Sequence, residues 1–190
     1  IDELAASNIL GTSQLGLFAK FKEMALGFGV ATSKVITKPW FYVACNSTFD
    51  YTKKLYFKAL VLFILSFTLI YPLATFLIDL LIGIMGQNWI SLLEYTDYIL
   101  LFLFSYFLCE FSKSTLLACG GENFLYSIEK VFFGIRILIF LFLIISSYLG
   151  FFKIVLFTFV IIELVLKTFF FIIENIQLFL IFRRESQGNK

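Results

Sequence analysis

The residues able to do chemistry in this chain are few, and they sit where ionisable groups are expensive. Asp79, Glu110, Arg136, Glu163, Lys167 and Glu174 all fall within or at the ends of long apolar stretches. On insertion scales a charged side chain at the centre of a membrane helix costs about 2.5–3.5 kcal/mol, so each needs a partner, water or a route to the headgroups. Four polar positions form a set. Taking Glu163 as zero and about 100° per residue, Lys167, Glu174 and Gln177 project at about 40°, 20° and 320°, an arc of about 80° along roughly 21 Å. Lipid-exposed faces do not carry such stripes, so this face is expected to meet protein or an aqueous cavity. Glu163 and Lys167 are also spaced i to i+4 in the favourable order, which predicts a local ion pair. Arg136, six residues into its apolar stretch, is placed to snorkel to the headgroups. Asp79 and Glu110 lie near the ends of theirs, at headgroup depth.

The same inventory excludes other chemistry. With no His in the chain, His-ligated haem, copper or zinc and a His general base cannot come from it. Cys45, Cys109 and Cys119 stand alone, without a CxxC pair, and read as buried apolar thiols. No Walker loop, dinucleotide fingerprint, GxSxG elbow or HExxH occurs. No cofactor and no metal is therefore expected. A formal charge of +2 is too small to imply nucleic acid.

These residues need elements to hold them, and the composition says which. Of 190 residues, 61% are hydrophobic and 15% charged, against about 45–50% and about 25% in a soluble domain. The expected fold is an all-α polytopic transmembrane protein. Four stretches approach the roughly 20 residues that a crossing needs. They are 59–85, with Pro72 and Asp79 inside; 97–111, extending to 118 if Glu110 and Lys113 are tolerated; 131–152; and 154–182. The fourth is about 43 Å long and is expected to tilt or curve.

Residues 1–57 form an N-terminal extramembrane or membrane-surface segment, read as a processed terminus or a fragment. In it Leu15, Phe18, Ala19, Phe21, Met24, Ala25 and Phe28 recur at helical spacing around Lys20, Lys22 and Glu23, an amphipathic helix suited to a membrane surface or a partner subunit. Lys38-Pro39-Trp40-Phe41-Tyr42 is expected to break it and supply an interfacial aromatic belt. Asn46-Ser47-Thr48 is a glycosylation sequon by chance. Residues 58–184 form the four-span domain and 185–190 a polar tail.

Charge sets the topology. Lys53, Lys54, Lys58, Lys113, Lys130, Arg183, Arg184 and Lys190 fall on one side of four spans, and only Lys153 on the other. Both termini are then expected on the positive side, cytoplasmic in a bacterium or matrix in a mitochondrion.

The stretch Gly134-Ile135-Arg136-Ile137-Leu138, followed forty-one residues after the Arg by Ile176-Gln177-Leu178-Phe179, resembles the last two helices of subunit a, the proton-channel subunit of rotary F-type ATP synthases. The resemblance covers about 55 residues. The family's Asn and its acidic or His position after the Arg have no counterpart in residues 139–145. It implies that Arg136 faces a rotor carboxylate while Glu163, Lys167, Glu174 and Gln177 line a proton path. Two functions stay open. One is the proton-path subunit of a multi-subunit energy-coupling complex in the mitochondrial inner membrane, or alternatively a bacterial inner membrane. The other is a non-catalytic accessory or scaffold subunit of a respiratory or secretion complex. Either way the expected partners are other membrane subunits and lipid, not nucleic acid, and no catalytic set of the chain's own is present.

Overall fold

The computed structural model of the chain describes residues 12–86, 90, 93–94, 96–148 and 156–188. These build five α-helices: α1 Thr12–Cys45, α2 Phe49–Met85, α3 Thr96–Ala118, α4 Glu122–Tyr148 and α5 Leu156–Gly188. Three are long and apolar enough to cross a membrane, namely α2, α3 and residues 161–184 of α5. The protein is an all-helical membrane protein. Lys153 and Lys190 lie outside the described residues.

Several expected boundaries move. Pro39 does not break the N-terminal helix; α1 runs through it to Cys45. A proline in a helix removes the hydrogen bond to the carbonyl four residues back, here Val35, which lies 73% exposed. The gap thus falls on the open side of α1 and disturbs no packing. Helix α2 begins at Phe49, so residue 57, expected to end the surface segment, lies inside a helix that also passes through Pro72. Helix α4 starts at Glu122, nine residues earlier than the apolar run, and α5 carries the expected tail as helix through Gly188. Helix α3 takes the longer of its two expected extents.

Helix α3 is the hub, packing most extensively on α1 and α5 and also on α2 and α4. Contacts fix the directions. Gly29 of α1 sits against Leu103 and Tyr106, while Thr37 and Trp40 further along meet Ser114 and Thr115, so α1 runs parallel to α3. It lies alongside α3 over this length, and its partner there is its own chain. Helix α2 runs antiparallel, with Phe63 against Phe107 and Phe67 against Phe104. Helix α5 is parallel to α3, since Cys109 meets Lys167 and Ser112 meets Asn175. Helix α4 opposes α5, with Arg136 at Glu163 and Phe132 at Phe170. Apart from Arg136 and Lys167, the basic residues of α2 to α5 therefore gather at one end: Lys53, Lys54, Lys58, Lys113, Lys130, Arg183 and Arg184.

Two cores form around α3. At the basic end Tyr56, Phe111, Leu116, Leu125, Leu178 and Phe182 pack together, with Tyr56 stacked on Phe111 at 5.3 Å between centroids. At the other end Ile78, Ile82, Ile99, Leu100 and Phe102 do so. The α3–α4 corner is a Schellman turn. Gly121 N–H donates to the Leu116 carbonyl (2.8 Å) and Gly120 N–H to Leu117 (3.2 Å), with Gly120 at φ +77°, a conformation that favours glycine. A Cβ on Gly121 would lie 2.9 Å from the Leu116 carbonyl oxygen. At the α1–α2 corner the Asn46 amide of the sequon donates to the Tyr42 carbonyl and closes the end of α1.

Candidate functional site

Helices α3, α4 and α5 line a half-open cavity of about 210 Å³, far above the roughly 10–15 Å³ that one water needs. Its wall is charged. Glu110 and Lys113 come from α3, Glu129 and Arg136 from α4, and Lys167 and Glu174 from α5, with Phe132 and Phe170 between them. The helical repeat explains how α5 contributes: Glu163, Lys167 and Glu174 share one face and span about 16 Å of its length. Antiparallel α4 returns its own charges to the same levels.

An ion pair sits toward each end of this column. Arg136 Nη2 donates to Glu163 Oε2 at 2.8 Å, with the arginine side chain 35% exposed and the glutamate 10%. Toward the basic end Lys113 is paired with Glu129. Between them Lys167 Nζ lies 4.7 Å from the centroid of the Tyr106 ring, over its face, where the ring's negative quadrupole attracts a cation. Glu174 is fully buried. Neither of its carboxyl oxygens has a hydrogen-bond partner, which is costly for a polar group and prohibitive for an isolated charge in an apolar surround. Glu174 thus belongs to the wall of the cavity while its unsatisfied carboxyl oxygens are buried behind the surface of that wall.

Next to Glu174 in the chain, Asn175 joins a set of side-chain hydrogen bonds with Tyr56 and Ser112. Tyr56 O–H donates to Asn175 Oδ1 at 2.7 Å, and Asn175 Nδ2 donates to Ser112 Oγ at 3.1 Å. Ser112 and Tyr56 hydroxyls are 2.8 Å apart. With the other two donors committed, Ser112 donates to Tyr56, and the three groups form a ring. Nearby, Trp40 Nε1 donates to Thr115 Oγ1, tying α1 to the same region.

The stripe on α5 meets protein and a cavity, as its spacing demanded, but its details differ. Glu163 takes Arg136 across the helix interface in place of Lys167, because a cross-helix guanidinium at 2.8 Å gives a charge-assisted bond, and Lys167 turns to Tyr106. Arg136 is held at that pair, about 21 Å along α4 from Glu122. Gln177 shares the direction of the stripe yet is absent from the cavity wall, being one turn beyond Glu174 toward the basic end. Glu163 and Glu174 of the stripe are buried within this chain, while Lys167 and Gln177 are half-buried. Asp79 accepts from Thr96 Oγ1 at 2.8 Å. Cys109 is a buried thiol, donating to the Lys167 carbonyl at 3.2 Å, whereas Cys45 is exposed and Cys119 half-buried.

Four contributors were missed: Glu129, Tyr56, Ser112 and Asn175. Glu129 had a readable signal. A hairpin folded at Gly120-Gly121 places Lys113, seven residues before Gly120, opposite Glu129, eight after Gly121. Asn175 projects at about 120° from Glu163, off the stripe, so only a second neighbouring helix explains it.

No known protein family, curated protein or solved structure matches the chain.

Proposed function

We propose that the protein is a proton-path subunit of a membrane energy-coupling assembly, in which Glu174 takes up and releases protons through the charged cavity. One observation carries this reading: a fully buried carboxyl without a hydrogen-bond partner, on a residue in the wall of a space large enough for water. A small side-chain movement that admits water from that space to the carboxyl supplies the partner that Glu174 lacks, and a carboxyl exchanging hydrogen bonds with water exchanges protons with it. The two flanking ion pairs hold counter-charges in place, so a proton arriving or leaving need not move the helices. In this reading α4 is the fourth crossing, alongside α2, α3 and α5, with the basic end in the matrix or cytoplasm.

The narrower assignment to subunit a of an F-type ATP synthase asks Arg136 to meet a carboxylate of a neighbouring rotor. Here Arg136 has Glu163 of its own chain, so its role becomes that of a fixed positive charge at the inner end of the path. A second reading, an accessory subunit, is favoured by the extent to which Arg136, Lys113 and Asn175 are satisfied internally.

The test is proton flux. Membranes containing the assembled native complex are loaded with a pH-sensitive dye, and flux is driven by a potassium-diffusion potential. Glu174→Gln keeps the shape and removes the titrating proton; it should reduce flux at least tenfold at unchanged assembly. Unaltered flux in that variant leaves the accessory reading.

A further inference from the structure

A second, more open cavity of about 430 Å³ lies between α1 and α3 at the basic end, lined by Thr37, Lys38, Phe41, Glu110, Lys113, Ser114 and Leu117. It shares two residues with the inner cavity, Glu110 and Lys113. We infer that this groove is the water entry to the inner cavity, and that Glu110 and Lys113 are the partition through which protons pass from the basic side. The inference rests on the proton-path reading above and names its route.

The placement is chemical as well as spatial. Glu110 and Lys113, three residues apart, stand on one face of α3, and that face looks into both spaces. Lys113 is held from the inner side by Glu129. Glu110 is half-buried and makes no hydrogen bond or ion pair among the described residues, so its carboxylate stands open to water and its protons. Lys38, exposed at the mouth, gives the groove a hydrophilic lip at the end where basic residues collect. The floor is polar too: Ser114 Oγ donates to the Thr37 carbonyl, which draws α1 against α3 and sets the width of the groove. Helix α1 thereby gains a role that no crossing helix of the chain supplies, the outer wall of the entry. Away from the basic end, the cavity wall reaches Arg136, which is paired with Glu163.

Cysteine accessibility tests the route without using flux. In a background with Cys45→Ser, Cys109→Ala and Cys119→Ser, Ser114→Cys reports the groove and Leu166→Cys the inner cavity. Glu122→Cys marks the basic end. The probe is the impermeant cation MTSET, added to either side of membranes holding the native assembly. Leu166→Cys should react at least tenfold faster from the side on which Glu122→Cys reacts. Filling the groove with Thr37→Trp, or independently Leu117→Trp, should slow Leu166→Cys at least tenfold and leave Glu122→Cys unchanged. Reaction of Leu166→Cys from the opposite side, indifference to both plugs, or no reaction from either side overturns the route. Loss of the route with flux still dependent on Glu174 would refute this inference alone, whereas plugged labelling with flux independent of Glu174 would refute the proton reading alone.

Discussion

Helices α2 and α3 are both long and apolar enough to cross a membrane, yet they invert each other's chemistry. Along α2 the apolar residues from Val61 to Ile84 are mostly exposed, Leu69 at 81% and Ile84 at 74%. Along α3 the buried positions include Ser112, Ser114 and Thr115, and the helix touches all four others. Lipid tails are as apolar as leucine, so burying leucine against protein gains little there. Polar groups and close packing distinguish the inside of such a bundle; apolar character marks its outside. Of the two helices, the less hydrophobic is the structural centre.

The strongest way to break this contrast is at Phe111. It is 1% exposed and lies 4.7 Å from Trp40 and 5.0 Å from Phe63, ring centroid to centroid. Phe111→Ala should destabilise the fold by about 3–5 kcal/mol, read from unfolding in mixed mild-detergent and SDS micelles. Next comes Arg136→Met, which strands Glu163. A loss of about 2–3 kcal/mol is expected, below that of a fully buried pair because the arginine is one-third open. Arg136→Met with Glu163→Met should recover at least half of it, since apolar replacement of both partners is close to neutral. That recovery would mark the pair as kept for function. At the other extreme, Leu69→Ala on the lipid face should change stability by less than about 0.5 kcal/mol. A large loss there, by the same unfolding measurement, would mean that α2 is covered by protein and not by lipid.

The helical architecture and one face of α5 were legible because both follow from periodicity. Glu163, Lys167 and Glu174 had to point one way, and a charged face in an apolar helix had to be covered. Which helices cover it was not legible, because neither the neighbour nor its direction is encoded in the repeat of α5 itself. Glu163 therefore found Arg136 on α4, and Gln177, aligned by angle, fell beyond the cavity by depth. Helices α2 and α4 begin before the apolar stretches they contain for a related reason. Lys53, Lys54, Glu129 and Lys130 are good helix residues that end a membrane span without ending a helix. Pro39 was misread because its cost depends on which side of α1 faces solvent, a tertiary fact.

The two-glycine turn after α3 has a further consequence for how such a chain can change. It works as a gauge block between α3 and α4. If the turn kept its geometry and an inserted residue joined the first turn of α4, it would turn the rest of α4 by about 100° and shift it by about 1.5 Å, carrying Glu129 away from Lys113 and Arg136 away from Glu163 together. The charges on α4 are thus tuned by the length of a corner that touches none of them. Diversification of this segment is confined to substitution, while additions and deletions have to be accommodated elsewhere in the chain.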